Sequence, residues 1–228
     1  MNDLTTQNQT SSAPKIERIR HELKRRVLTV ETVERITPQM LRITLGGEDL
    51  SDFVSAAPDD HVKIFLPTDA GPATRWALDA VPGSTLSIGG PRGSAVVSGV
   101  KRWLLIGDET GLPAMGRRIE EAGEDAVITS IGLVVGPEEE QVFETPASLE
   151  TLWVHRPLSR ATDASGLISV LDTIALQPET FVWVAAEASV ARAVRAYLVE
   201  KRGYPLAWIK AAGYWAEGKA DAHETIGD

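Results

Sequence analysis

The segment Leu104-Leu105-Ile106-Gly107-Asp108-Glu109-Thr110-Gly111-Leu112-Pro113-Ala114 sets two carboxylates and a hydroxyl between an apolar run and a proline. That order predicts a strand, a tight polar turn and a helix N-terminus, the way α/β proteins present a ligand at the carboxyl edge of a sheet. Gly107 and Gly111 are expected to take backbone angles that other residues resist. Pro113 suits the first helical turn, where a missing N–H costs nothing. The spacing is not G-x-G-x-x-G, and Asp108 and Glu109 would repel a phosphate laid directly on them. The chemistry expected here is contact with a ribose, an amide or a nicotinamide, with phosphates nearby. The alternative is an ordinary strand-to-helix turn.

Three further segments carry similar chemistry. Glu187-Ala188-Ser189 follows a continuous apolar run; Ser189 reads as an N-cap, and Glu187 could accept from a ribose or a carboxamide. Gly71-Pro72-Ala73-Thr74-Arg75-Trp76-Ala77 reads as a short helix whose N-terminus would attract a pyrophosphate, or as a plain cap with Trp76 in the core. Gly213-Tyr214-Trp215 offers two aromatics, after a strand, that could stack on a planar ring or close the core. Lys15, Arg18, Arg20, His21, Lys24, Arg25 and Arg26 form a basic cluster, either a docking surface for an anion or a solvated lead-in strand or helix. The histidines His21, His61, His155 and His223 are scattered, and no metal-ligand spacing is visible. Ser189 and Ser87 have no His-Asp partners in view, so no hydrolytic triad is expected.

The elements that must position these residues fall into two regimes. Between residues 26 and 100, Val27–Val30, Leu41–Leu45, His61–Leu66 and Ser84–Ile88 read as short strands punctuated by Gly and Pro, which suggests a small antiparallel barrel or sandwich. After residue 101 strands and helices alternate. Trp103–Ile106, Ala126–Val135, Leu152–His155, Phe181–Ala186 and Ala207–Lys210 read as strands; Pro113–Ala122, Leu167–Leu176 and Ser189–Lys201 read as helices, the last closed by Gly203. Alternation of this kind predicts a doubly wound, mostly parallel sheet. The expected organisation is a disordered tail over 1–14, a β module over 15–100 and an α/β module over 101–228.

The chain has 228 residues, 43% hydrophobic and 24% charged, with a net charge of −9. These are globular values, and the acidity argues against nucleic-acid binding. No cysteine is present, so thiol catalysis and disulfides are excluded. No apolar run reaches membrane-spanning length, and the polar N-terminus lacks a signal-peptide core. A cytoplasmic protein with no membrane partner is expected.

Taken in order, Asp59-Asp60-His61-Val62-Lys63-Ile64-Phe65, Gly71-Pro72-Ala73-x-x-Trp76-Ala77, Gly89-Gly90-Pro91-Arg92-Gly93-Ser94, Gly107-Asp108-Glu109-Thr110-x-x-Pro113-Ala114, Trp183-Val184-Ala185-x-Glu187-Ala188-Ser189 and Gly213-Tyr214-Trp215 resemble the siderophore-interacting protein family, flavin-dependent ferric-siderophore reductases. The resemblance covers residues 20 to 220. It implies a flavodoxin-reductase-like antiparallel β-barrel holding FAD, followed by a nucleotide-binding α/β domain for NADPH or NADH. Reducing equivalents would pass from nicotinamide to flavin and then singly to Fe(III) in a ferric siderophore. On this resemblance Gly71, Pro72, Ala73, Thr74 and Trp76 lie by the FAD pyrophosphate. Gly107, Asp108, Glu109, Thr110, Pro113 and Glu187 line the nicotinamide side, Tyr214 and Trp215 close over the flavin, and Arg92 helps attract the substrate.

The chain departs from that pattern after Leu66. The family has about thirty residues there, with an Arg-x-Tyr-Thr type flavin clamp and a further strand; here Pro67-Thr68-Asp69-Ala70 leads straight to Gly71. The only tyrosines are Tyr197, Tyr204 and Tyr214. The barrel is therefore expected to be shortened, its exposed edges covered by a homodimer or by the N-terminal arm. Ala186 stands where the family has Gly, and Ala216 and Glu217 where basic residues follow Tyr-Trp. Two functions follow: a ferric-siderophore reductase with weakly held flavin, or a non-catalytic shortened relative that binds nucleotide or chelate.

Overall fold

The computed structural model describes residues 13–66, 73–219 and 224–226. The expected tail to residue 12, the segment 67–72 and His223 lie outside them. Alternating apolar and polar residues make β2 (Arg25–Thr37), whose burial alternates from Arg25 to Val30 as a strand half-covered by a core requires. It pairs antiparallel with β3 (Met40–Gly46) and β5 (Thr85–Gly89), and β4 (Lys63–Phe65) pairs with β5, giving the order β3-β2-β5-β4. The basic lead-in resolves as a strand, β1 (Lys15–Arg20), paired along its length with β6 (Gly93–Ser98). Leu28, Leu86 and Ile88 form the small core beneath the sheet, with Phe53 and Trp76 packed against it. Trp76 comes from α1 (Ala73–Asp79), so its ring serves the core.

The second half is a six-stranded sheet of β7 (Arg102–Asp108), β8 (Val127–Val134), β9 (Ser148–His155), β10 (Thr180–Glu187), β11 (Ile209–Trp215) and β12 (Glu224–Thr225). Its order is β12-β11-β10-β7-β8-β9, parallel except for β12. The helix α2 (Leu112–Glu120) covers one face, where Leu112, Met115 and Ile119 meet Leu105, Phe181 and Ala185. Helices α3 (Ser165–Thr173) and α4 (Ala188–Ala196) cover the other, with Leu167, Leu171, Val190 and Val194 against Leu104, Ile106, Val182 and Val184. The doubly wound expectation thus holds, with helices on both faces.

Three details correct the sequence reading. The strand expected at Ala207–Lys210 begins at Ile209 and runs to Trp215, so Gly213, Tyr214 and Trp215 lie inside it rather than after it. The helix expected over Ser189–Lys201 loosens at Tyr197–Lys201 into a π turn, with Arg202 N–H donating to the Tyr197 carbonyl at 3.1 Å. Gly107 and Gly111 do not have positive φ. They are needed for space: a β-carbon would stand 2.6 Å from Met115 Sδ at the first and 2.4 Å from the Ala185 carbonyl at the second.

The halves are fastened by polar contacts. Arg117 donates to Ser55 Oγ at 2.7 Å and to the Ala57 carbonyl at 3.1 Å. Glu139 is fully buried and accepts from Thr37 Oγ1 and from Gln39 N–H at 2.9 Å. Lys210 is ion-paired with Asp59. No helix among the described residues is long and apolar enough to cross a membrane.

Candidate functional site

The chain runs β7-β8-β9 towards one edge and then returns to place β10 on the other side of β7. The strand order therefore reverses between β7 and β10, and α/β sheets bind ligands outside the carboxyl ends at such a point. Asp108, Glu109, Thr110 and Gly111 leave β7 there, and Glu187 and Ala188 leave β10. Pro113 lies in the first turn of α2, as expected.

Asp108 is 0% exposed, and both its oxygens are engaged by the chain. Oδ1 accepts from Thr110 N–H at 2.9 Å and Thr110 Oγ1 at 2.6 Å. Oδ2 accepts from Glu187 N–H and from Trp215 Nε1–H, each at 2.8 Å. One carboxylate thus binds the ends of β7, β10 and β11. Glu109 sits beside it, paired with Arg156 at 3.2 Å. Burial pushes the Glu109 carboxyl up, outweighing the pull of Arg156, and the charge of Asp108 adds to the rise. Arg156 is 6% exposed, and its Nε and Nη1 find no hydrogen-bond partner among the described residues.

Glu187, not Ser189, is the N-cap of α4. Its carboxylate accepts from Ser189 N–H at 2.6 Å and Val190 N–H at 3.2 Å, with Ser189 Oγ as a further donor. The longer side chain can reach back over the first turn because it leaves β10 in an extended backbone. Burial alone would raise its carboxyl, but the bonds from Ser189, Glu217 and Val190 prevail and hold it below the usual glutamate value.

A cleft of about 1090 Å³ lies between β2, β4 and β5 on one side and the end of β11 on the other. Among the described residues, Lys24, Arg25, Lys63, Arg92 and Lys219 line it, with His61 and no Asp or Glu. Register explains the floor. Arg25 and Lys63 both stand opposite Gly89, so the two cations flank a residue without a side chain on one face of the sheet. The Phe65 ring uses that gap, since a β-carbon on Gly89 would be 2.8 Å from its edge. The Arg25 guanidinium lies 4.6 Å from the centre of the same ring. Tyr214 and Trp215 form the opposite wall. Tyr214 meets Trp183 edge-on at 6.2 Å, and burial, with Asp59 and Asp60 nearby, pushes its phenol well above the ordinary tyrosine value.

The structure therefore brings Arg92, Tyr214 and Trp215 together in the cleft. It sets Gly107, Asp108, Glu109, Thr110, Pro113 and Glu187 at the neighbouring sheet edge. Ala73, Thr74 and Trp76 are not among the cleft's lining residues, and Gly71 and Pro72 lie outside the described residues. Sequence reasoning quoted Lys63, Phe65 and Gly89 in its motifs without giving them a site role, and missed Lys219 and Arg156. Period-two alternation from Arg25 could have flagged the outward face of the sheet; nothing local signals the burial of Arg156.

Comparison with known proteins gives two family matches: "siderophore-interacting protein" over residues 100–218 and "siderophore-interacting FAD-binding domain" over residues 29–71. A curated relative, the NADPH-dependent ferric-chelate reductase of Escherichia coli (strain K12), is 28% identical over 87% of this chain and 96% of its own. That alignment runs over 250 residues while using 87% of 228, so about 50 of its positions have no counterpart here. The crystal structure of a siderophore utilization protein from T. fusca superposes with a TM-score of 0.81 at 30% identity, covering 92% of this chain and 98% of that one. A siderophore-interacting protein from Aeromonas hydrophila shares the fold at a TM-score of 0.73 and 22% identity, over 89% of this chain and 94% of that one.

Proposed function

This chain belongs to the siderophore-interacting protein family, and we propose that it is a flavin-linked reductase that uses NADPH or NADH to reduce iron in anionic ferric siderophores. The observation that carries this reading is the cleft, lined among the described residues by five cations and no carboxylate, on a chain of net charge −9. Such a concentration of one sign focuses attraction on an anion. The residues present fit FAD. The cavity has room for a dinucleotide, Lys24, Arg25, Lys63 and Arg92 suit a pyrophosphate, and Phe65, Tyr214 and Trp215 suit a flat ring system. When bound, the flavin would supply the conversion between a two-electron donor and a one-electron ferric acceptor.

The side chains have binding and positioning roles. Lys63 and Arg25 hold anionic groups on the floor, Lys219 and Arg92 draw in the ferric chelate, and the aromatic wall excludes water. Tyr214 keeps its proton throughout the working pH range, because its phenol is held above the ordinary value. The turn at Asp108–Gly111 and the Glu187 cap frame the edge where a pyridine nucleotide would approach. Iron is substrate, and reduction frees it because Fe(II) is held far less tightly by hard oxygen donors.

The test is NADPH-driven reduction of ferric citrate with added FAD, read as Fe(II) trapped by a chromogenic chelator. Wild-type turnover is expected. Lys63→Glu should weaken binding of both FAD and chelate about tenfold, and less so at high salt, whereas Lys101→Glu, remote from the cleft, should not. A second reading, a relative that binds without electron transfer, is favoured by the short edge strand β4. Binding of FAD and ferric citrate without Fe(II) formation would establish it. No FAD binding by the wild type would overturn the flavin reading.

A further inference from the structure

Building on the cleft assignment above, we infer that Asp108 is a positioning residue that holds the indole of Trp215 in the cleft wall and so links the cleft to the turn after β7. A carboxylate offers about four lone-pair sites. Here Thr110 takes two, and Glu187 N–H and Trp215 Nε1–H take the others. None is left for a ligand, and the side chain has no exposure. Asp108 therefore acts through the groups it holds rather than by touching cofactor or substrate.

Of those groups, only Trp215 lines the cleft. An indole has one donor and no acceptor, so the partner of Nε1 decides how the ring is rotated about its side-chain bonds. The pairing of β10 with β11 shifts register after Ala186, which sets Trp215 opposite Glu187. The same oxygen of Asp108 takes the N–H of Glu187 and the indole N–H of Trp215, so the backbone irregularity and the ring are fixed at one point. On the far side, Arg156 from the end of β9 stands 3.8 Å from that oxygen and 3.2 Å from Glu109. Asp108 is thus the side chain that joins the turn at Glu109–Thr110 directly to Trp215.

Asp108→Asn keeps the shape but leaves one acceptor oxygen, which cannot serve both the Thr110 pair and the Glu187–Trp215 pair. The full chain contains six tryptophans, so labelling with 5-fluorotryptophan and assigning the Trp215 line by its loss in Trp215→Phe gives a readout that needs no ligand. Asp108→Asn is expected to shift and broaden that line, and to weaken FAD binding by about tenfold, the scale of one lost charge-assisted hydrogen bond. The double variant should bind FAD no more weakly than Trp215→Phe alone. An unmoved Trp215 line, or losses that add in the double variant, would overturn the proposal. Should Asp108→Asn not fold, exchange of the Trp215 indole N–H in the wild type decides: slow exchange is expected, and exchange at the rate of free indole overturns it. If wild-type protein binds no FAD, the flavin reading fails while the fluorine spectra still judge Asp108.

Discussion

Strand β10 is buried at all eight residues, whereas β4 has three and none is buried. The contrast runs through both halves. In the parallel sheet, helices cover both faces, so β7 and β10 read as nearly continuous apolar runs and their side chains are committed to the core. In the antiparallel sheet only one face is covered. Leu28, Leu86 and Ile88 fill it, and the opposite face is left to Arg25, Val27, Lys63 and Phe65. Val27 there is 58% exposed. The half with little core supplies the open, charged floor, and the half with a deep core supplies fixed strand ends. A cleft built across the two draws adaptability from one and position from the other.

The largest effect should come from weighing the two cores directly. Phe181→Ala empties a fully buried ring site between α2 and the sheet and should cost about 3–5 kcal/mol. Leu86→Ala sits in a cluster of three buried residues and should cost about 2 kcal/mol, the low end for such a change, because a thin layer collapses more easily. Urea unfolding followed by circular dichroism measures both. Equal costs would break the contrast.

The same contrast governs what could be read from the sequence. The parallel half was legible because burial on both faces writes unbroken apolar runs such as Phe181–Ala186, and because Gly203 marks a helix end with a φ of +60°. The antiparallel half was legible only in part. The strands β1 and β6 carry a polar outer surface and few apolar residues, so Lys15–Arg20 reads equally as strand or helix until its pairing with Gly93–Ser98 is seen. At the site, the turn at Asp108 and the aromatics Tyr214 and Trp215 announced themselves by residue type. Their roles did not: that Asp108 faces inward and Trp215 is its partner depends on three strands meeting. Ser189 was the natural N-cap by residue preference, and Glu187 displaced it because its carboxylate curls back from the end of β10. Arg156 looked like any arginine before a proline; its burial arises from the packing of Glu109 above it.

Glu187 offers a pH-resolved test of how firmly the deep half holds its strand ends. Its folded-state pKa lies below the ordinary 4.5. A lowered carboxyl pKa contributes stability that is fully present above the unfolded value and is lost as pH falls through the folded one. Glu187→Gln should therefore lower stability by about 1 kcal/mol at pH 7, the usual worth of a cap. The gap to wild type should narrow below pH 4.5 and vanish once the carboxyl is protonated. Unfolding midpoints taken from pH 7 downward measure it, and a gap independent of pH would show that the charge is not what caps α4.

The smallest effects separate one cooperative unit from two. Gly83 ends the turn before β5 with φ at +93°, and Gly203 ends the helical segment after α4 with φ at +60°. A β-carbon would meet open space at both, so an alanine there costs only backbone strain. At +60° alanine falls in the left-handed well and should cost about 1 kcal/mol; at +93° it lies outside that well and should cost somewhat more. If Arg117, Glu139 and Lys210 bind the halves into one unit, each substitution shifts a single transition by its own cost, whichever half is watched. The 5-fluorotryptophan line of Trp183 reports the deep half and a probe attached at Val27 reports the thin one. Should Gly83→Ala move only the second signal, the antiparallel sheet unfolds separately, and the cleft floor can open while the strand ends at Asp108 stay in place.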